Sequence, residues 1–111
     1  MAQRFSGFEV DIAKLRDYCL SDTHPRGRHK ARAFRARLGL TDVDAQMLRQ
    51  ALLDAIHSRQ DELRPTEIDE YGQRYVLDFE MNTPFGSATL RSAWIVLAAQ
   101  DVLRLTSCYV L

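Results

Sequence analysis

Apolar positions change their spacing once along the chain, near Pro65, from a helical period to strict alternation. Between Asp11 and Leu20 the residues Ile12, Leu15, Tyr18 and Cys19 recur at helical spacing behind Asp11, a natural N-cap, and predict a short first helix. It should end before Pro25, which lacks an N–H and pushes His24 out of helical conformation. Ala31, Phe34 and Leu38 predict a second helix over 28–38, with Gly39 placed to take the left-handed position that closes it. Thr41 should cap a third, with Val43, Met47, Leu48, Ala51, Leu52, Ala55 and Ile56 on its core face and Met47 and Met81 as core filler.

Beyond Arg64-Pro65, the alternation Tyr75, Leu77, Phe79, Met81 predicts a half-buried strand. A loop at 82–86 leads to a second strand over 87–96, and a turn at 98–101 leads to a third over 102–110. Connections this short make neighbouring strands antiparallel. Phe5, Phe8 and Val10 suggest a further N-terminal strand. The fold class is therefore α+β, with three N-terminal helices packed on one antiparallel meander sheet of three to four strands. Trp94, Leu90, Phe34, Leu52, Ile56 and Leu15 should form its core.

At 111 residues, 46% apolar and 27% charged, the chain reads as one globular domain over 1–111. No apolar run approaches a membrane span, and the first residues lack the apolar region of a signal peptide, so the expectation is a cytoplasmic protein without a membrane partner. Cys19 and Cys108 lack CxxC spacing and read as buried thiols of a reducing compartment.

Charge adds what the neutral total hides. Residues 1–40 carry nine Lys/Arg against four Asp/Glu, and residues 41–80 carry four against ten. The stretch 24–37 alone has six basic residues and no acid, the footprint of a phosphate-binding edge, with Arg26, Arg28, Arg32 and Arg35 as candidate nucleic-acid contacts. The competing reading is a solvated helix face whose arginines pair with the acidic stretch. The acids at 61–62, 67 and 69–70 read as a solvated connection.

Within that basic stretch, His24, His29 and Lys30 supply two imidazoles and an ammonium on a Pro/Gly loop entering a helix. RNA cleavage without a metal asks for such groups: a base for the 2′-hydroxyl, an acid for the departing 5′ oxygen, and fixed cations at the phosphate. The bland alternative is an exposed histidine-rich turn. On the strands, Thr89 and Arg91 share one face, as do Arg104, Thr106 and Cys108, while Tyr109, with Ser107, has the opposite parity to Thr106 and would join it only through a bulge or a strong twist. Cys19, His24, His29, His57 and Cys108 have no metal-site spacing, and His57 reads as a surface residue at a helix C-terminus. No metal or cofactor is expected.

The segments His24-Pro25-Arg26-Gly27-Arg28-His29-Lys30-Ala31-Arg32-Ala33-Phe34 and Leu103-Arg104-Leu105-Thr106-Ser107-Cys108-Tyr109, with Lys14 to Ser21 and Arg91 to Val96, resemble an uncharacterised bacterial family of small proteins and toxin tips. That family is similar to the barnase, EndoU, colicin and RelE group of ribonuclease toxins. The resemblance implies helices before an antiparallel sheet that carries the active site, RNA as substrate, and a cognate antitoxin or immunity protein. It also implies a site of His24, His29, Lys30, Arg91, Thr106 and Tyr109; the charge pattern and strand parity, read from the residues themselves, add Arg26, Arg28, Arg32, Arg35 and Arg104 as phosphate contacts. The chain departs from the family pattern at Leu20-Ser21-Asp22, where Leu-Asn-Pro is usual. A non-catalytic interaction module of the same fold is the main alternative, a nucleic-acid binder without catalysis is a third reading, and a homo-oligomer is compatible with each.

Overall fold

A computed structural model describes residues 4–111. Strand β1 (Gly7–Glu9) leads to Asp11, whose carboxylate accepts the Ala13 N–H at 2.9 Å and opens α1 (Ile12–Lys14). The chain then widens into a π turn over Leu15–Cys19, with Leu20 N–H reaching back to the Leu15 carbonyl at 2.8 Å. The expected first helix is thus a single α turn continued by a π turn, a geometry often found at functional sites.

Helix α2 (Arg28–Leu38) lays Ala31, Phe34 and Leu38 into the core. Gly39 closes it at φ +68°, where its N–H bonds the Arg35 carbonyl and the Leu40 N–H bonds that of Phe34. A side chain there would also strike the Phe85 ring, 2.7 Å from an added Cβ. Thr41 and Asp44 form a reciprocal capping box around a 3₁₀ turn (Asp42–Asp44), from which α3 (Ala45–Ser58) continues. That turn corrects the predicted core face. Val43 turns outward to 85% exposure and Met47 stays at 50%, while Leu48, Leu52, Ala55 and Ile56 face inward as expected and Ala45 joins them.

The sheet corrects the expectation more. It has five strands in the order β1-β5-β4-β3-β2, with β2 (Arg64–Ile68), β3 (Gly72–Thr83), β4 (Gly86–Leu97) and β5 (Val102–Val110) forming an antiparallel meander. Strand β1 joins β5 in parallel, so the sheet is mixed. Strand β2 arises where the acidic run suggested a solvated connection. It is exposed along its whole length and carries Pro65 and Glu67, residues that an edge strand tolerates and that discourage further pairing.

Helices cover one face of the sheet. Leu77, Phe79, Leu90, Trp94, Leu103 and Leu105 meet Leu15, Phe34, Leu48, Leu52 and Ile56 there, and all are buried. Among the described residues Ser92 is the one buried polar residue of this core; it donates to the Leu77 carbonyl at 2.7 Å and accepts from Trp94 Nε1 at 2.8 Å. The opposite face carries Asp78, Glu80, Thr89 and Arg91, partly or fully exposed, and no described element packs on it. No described helix is long and apolar enough to cross a membrane.

Candidate functional site

His24 follows the π turn and folds over its own loop: Nδ1 accepts the backbone N–H of Arg26 and of Gly27, each at 3.0 Å. With Nδ1 held as acceptor, the neutral ring carries its hydrogen on Nε2. Gly27 makes the arrangement sterically feasible, because an added Cβ would lie 2.1 Å from the Tyr18 carbonyl oxygen. The His24 ring stands edge-on to Tyr18, with centroids 4.7 Å apart.

Lys30, one turn into α2, extends to the far end of β5. Its Nζ donates to Ser107 Oγ at 3.0 Å and lies 5.2 Å from the Tyr18 ring and 5.3 Å from the Tyr109 ring. Pairing of β4 with β5 shifts register between Ala93 and Trp94, so Ala93 faces Ser107 while Trp94 faces Leu105. Thr106 is the extra residue, and its hydroxyl donates to the Ala93 carbonyl at 3.1 Å. A bulge thus lies at the point where the opposite parity of Thr106 and Tyr109 called for a bulge or a strong twist. Beyond the bulge Tyr109 stands opposite Arg91.

Tyr18, His24 and Thr106, with Asp11, Lys14 and Asp17, line a groove of ≈ 460 Å³. Its two carboxylates are already engaged. Asp11 caps α1, and Asp17 pairs with Arg16, whose hydrogen bonds hold the carboxyl below its ordinary range. Lys14 in the groove and Lys30 at its margin make no ion pair among the described residues. A second cleft of ≈ 470 Å³, between α3 and β3, includes Met47, Asp54, Phe79 and Glu80 and none of the candidate site residues.

Five of the six predicted catalytic residues therefore form one continuous array: His24, Lys30, Thr106, Tyr109 and Arg91. His29 does not join it; it points to solvent from the first turn of α2. Arg91 is committed to Asp78, donating through Nε and Nη2 at 2.8 and 2.9 Å, and that carboxylate, followed by the Tyr109 hydroxyl, raises its guanidinium above the ordinary value. Arg104 is committed to Glu9 and, at 3.3 Å, to Gln100. Of the basic residues on and before α2, Arg35 pairs with Asp22 at 3.2 Å, while Arg26, Arg28 and Arg32 are exposed without an ion pair among the described residues.

Tyr18, Ser107 and Asp78 were not singled out in the sequence. Tyr18 matched a core position, and Ser107 carries the same parity as Tyr109 but no chemistry of its own in the sequence. Cys19 and Cys108 are fully buried next to this array, and burial raises both thiols, Cys108 well above its ordinary value. Among the described residues no three His, Cys, Asp or Glu side chains gather where they could hold a metal ion.

The fold and site define a two-layer α+β protein with a polar, hydroxyl-bearing groove where the helical layer meets the last strand. Residues 3–111 match a family described as a domain of unknown function, DUF6883, and the chain belongs to that family. No curated protein and no solved structure matches the chain.

Proposed function

We propose that this protein is a toxin-like endoribonuclease that works without a metal and is neutralised by a cognate antitoxin covering the groove. The observation that carries this reading is Lys30, whose ammonium is fixed between Tyr18, Tyr109 and Ser107 beside the groove that holds His24 and Thr106. An ammonium held in place beforehand stabilises charge developing on a phosphorane without reorganising during the reaction.

The chemistry is in-line attack of a 2′ oxygen on its own phosphate. The P–O5′ bond breaks and leaves a 2′,3′-cyclic phosphate and a 5′-hydroxyl. The geometry changes the role expected of His24. A ring whose Nδ1 already accepts two amide hydrogens donates through Nε2. It serves the non-bridging oxygens of the phosphorane and is neither base nor acid. Lys30 gives a proton to the departing 5′ oxygen, and the 2′-hydroxyl proton passes to water. Thr106 and Tyr109 shape the margin of the pocket.

The test is cleavage of a panel of RNAs by purified protein in excess chelator, with product ends identified by mass. Cyclic-phosphate ends are expected, and Lys30→Met should lower the rate by roughly 10²-fold with intact fold. Uncut RNA across the panel, together with harmless expression in cells, sinks the proposal. The interaction-module reading would then replace it, favoured by the commitment of Arg91 and Arg104 to carboxylates of the protein itself.

A further inference from the structure

Two arginines meet one aspartate on the open face of the sheet. Asp78 on β3 accepts from Arg91 on β4 at 2.8 and 2.9 Å and from Arg64 on β2 at 3.2 Å. The side chains of Arg64, Arg91 and Asp78 are 60%, 34% and 29% exposed, so the cluster is open to solvent. Two guanidiniums converging on one carboxylate present the donors that the oxygens of a phosphate diester would take. The ion pairs also leave the carboxylate exchangeable, because water already screens them.

This seat is continuous with the groove. Tyr109, Arg91 and Asp78 stand in direct register on three adjacent strands, separated by steps of about 5 Å. Lys30 reaches the Tyr109 ring at the near end of that row. Tyr109 thus sits between the ammonium that serves the groove and the arginines on the open face. A chain passing from one to the other must turn around the edge of β5, which a single strand does and a stiff duplex does not.

We infer that single-stranded RNA bound in the groove continues across the open face of the sheet, where a neighbouring phosphate displaces Asp78 and is held by Arg64 and Arg91. The inference rests on the groove being an RNA site. It assigns Arg64 to the RNA footprint and makes Asp78 an internal competitor that limits affinity for the strand.

The test is anisotropy of a labelled 2′-O-methyl oligonucleotide, which cannot be cleaved through its 2′ position, with the parent, Arg64→Ala and Asp78→Asn at several salt concentrations. Arg64→Ala should weaken binding about threefold to tenfold and make the log–log salt slope shallower by about 0.7, the share of one phosphate contact on a single strand. Asp78→Asn should tighten binding by a similar factor, and a duplex of the same length should bind more weakly than the strand. Circular dichroism of each variant establishes that it is folded. If the parent binds but neither variant differs from it, the seat is overturned and the groove stands. No binding by the parent overturns both readings. An equal gain by Asp78→Asn toward a glutamate-rich peptide assigns the seat to carboxylates and overturns the phosphate.

Discussion

His24 holds its loop through Nδ1 and offers a donor through Nε2, and substitutions separate the two tasks. Asparagine carries an acceptor near the Nδ1 position but lacks the reach of Nε2. His24→Asn should therefore keep the parent's melting temperature within a few degrees and cut RNA at least ~10-fold more slowly. His24→Ala should lose cleavage and also about 0.5–2 kcal/mol of stability, as when a helix cap is removed; calorimetry beside a cleavage assay distinguishes them. At the acid end of the pH range Asp78 matters. Hydrogen bonds from Arg91 hold its carboxyl below the ordinary carboxylate range, with desolvation opposing them. Its contribution to stability is present above about pH 4, where the unfolded carboxyl is ionised, and is lost as pH falls through the lower folded value. The two cysteines act at the other end. Burial keeps both thiols protonated, so their contribution is present below about pH 8.5 and is lost above it as the unfolded chain ionises. Urea melts between pH 2 and 10 should show both limbs, Asp78→Asn flattening the acid one and Cys19→Ala with Cys108→Ala flattening the alkaline one.

The π turn, the His24 loop and the start of α2 form one unit that depends on Gly27. Gly27→Ala would press a methyl into the Tyr18 carbonyl, and something must shift. Destabilisation of more than about 1 kcal/mol is expected, with an altered NMR environment for the Tyr18 and His24 rings; an unchanged melt and spectrum would contradict the close approach. Local signals told most about elements whose ends are set locally. Helix α2 runs over the residues that Pro25 and Gly39 delimit, and β5 covers the predicted 102–110. Strands β1 and β2 were less legible. Three residues in a parallel ladder show too little alternation to recognise, and an edge strand that buries no side chain has no apolar pattern to read. The Thr106 bulge was named only as a requirement, because an extra residue leaves no mark in composition.

Across the whole molecule the helical layer is joined to the sheet by one apolar core, in which Leu52 is fully buried. Leu52→Ala should cost ~2–5 kcal/mol, a large share of a small domain's stability, and denaturant melts will measure it. The sequence by itself determined the α+β class, the helices preceding the meander, the inward positions Leu15, Phe34, Leu52, Ile56, Leu90 and Trp94, and the residue types of the candidate site. Those follow from periodicity, capping and turn chemistry, which act over a few residues. Tertiary structure alone decided which types meet. It closed the far edge of β5 with β1, turned Val43 and Met47 outward, and left His29 in solvent. It also drew Lys30 from α2 to Ser107, 77 positions away, and set Arg64, Asp78 and Arg91 side by side. Those contacts depend on sheet order, register and a one-residue bulge, which are set by packing between segments distant in the chain.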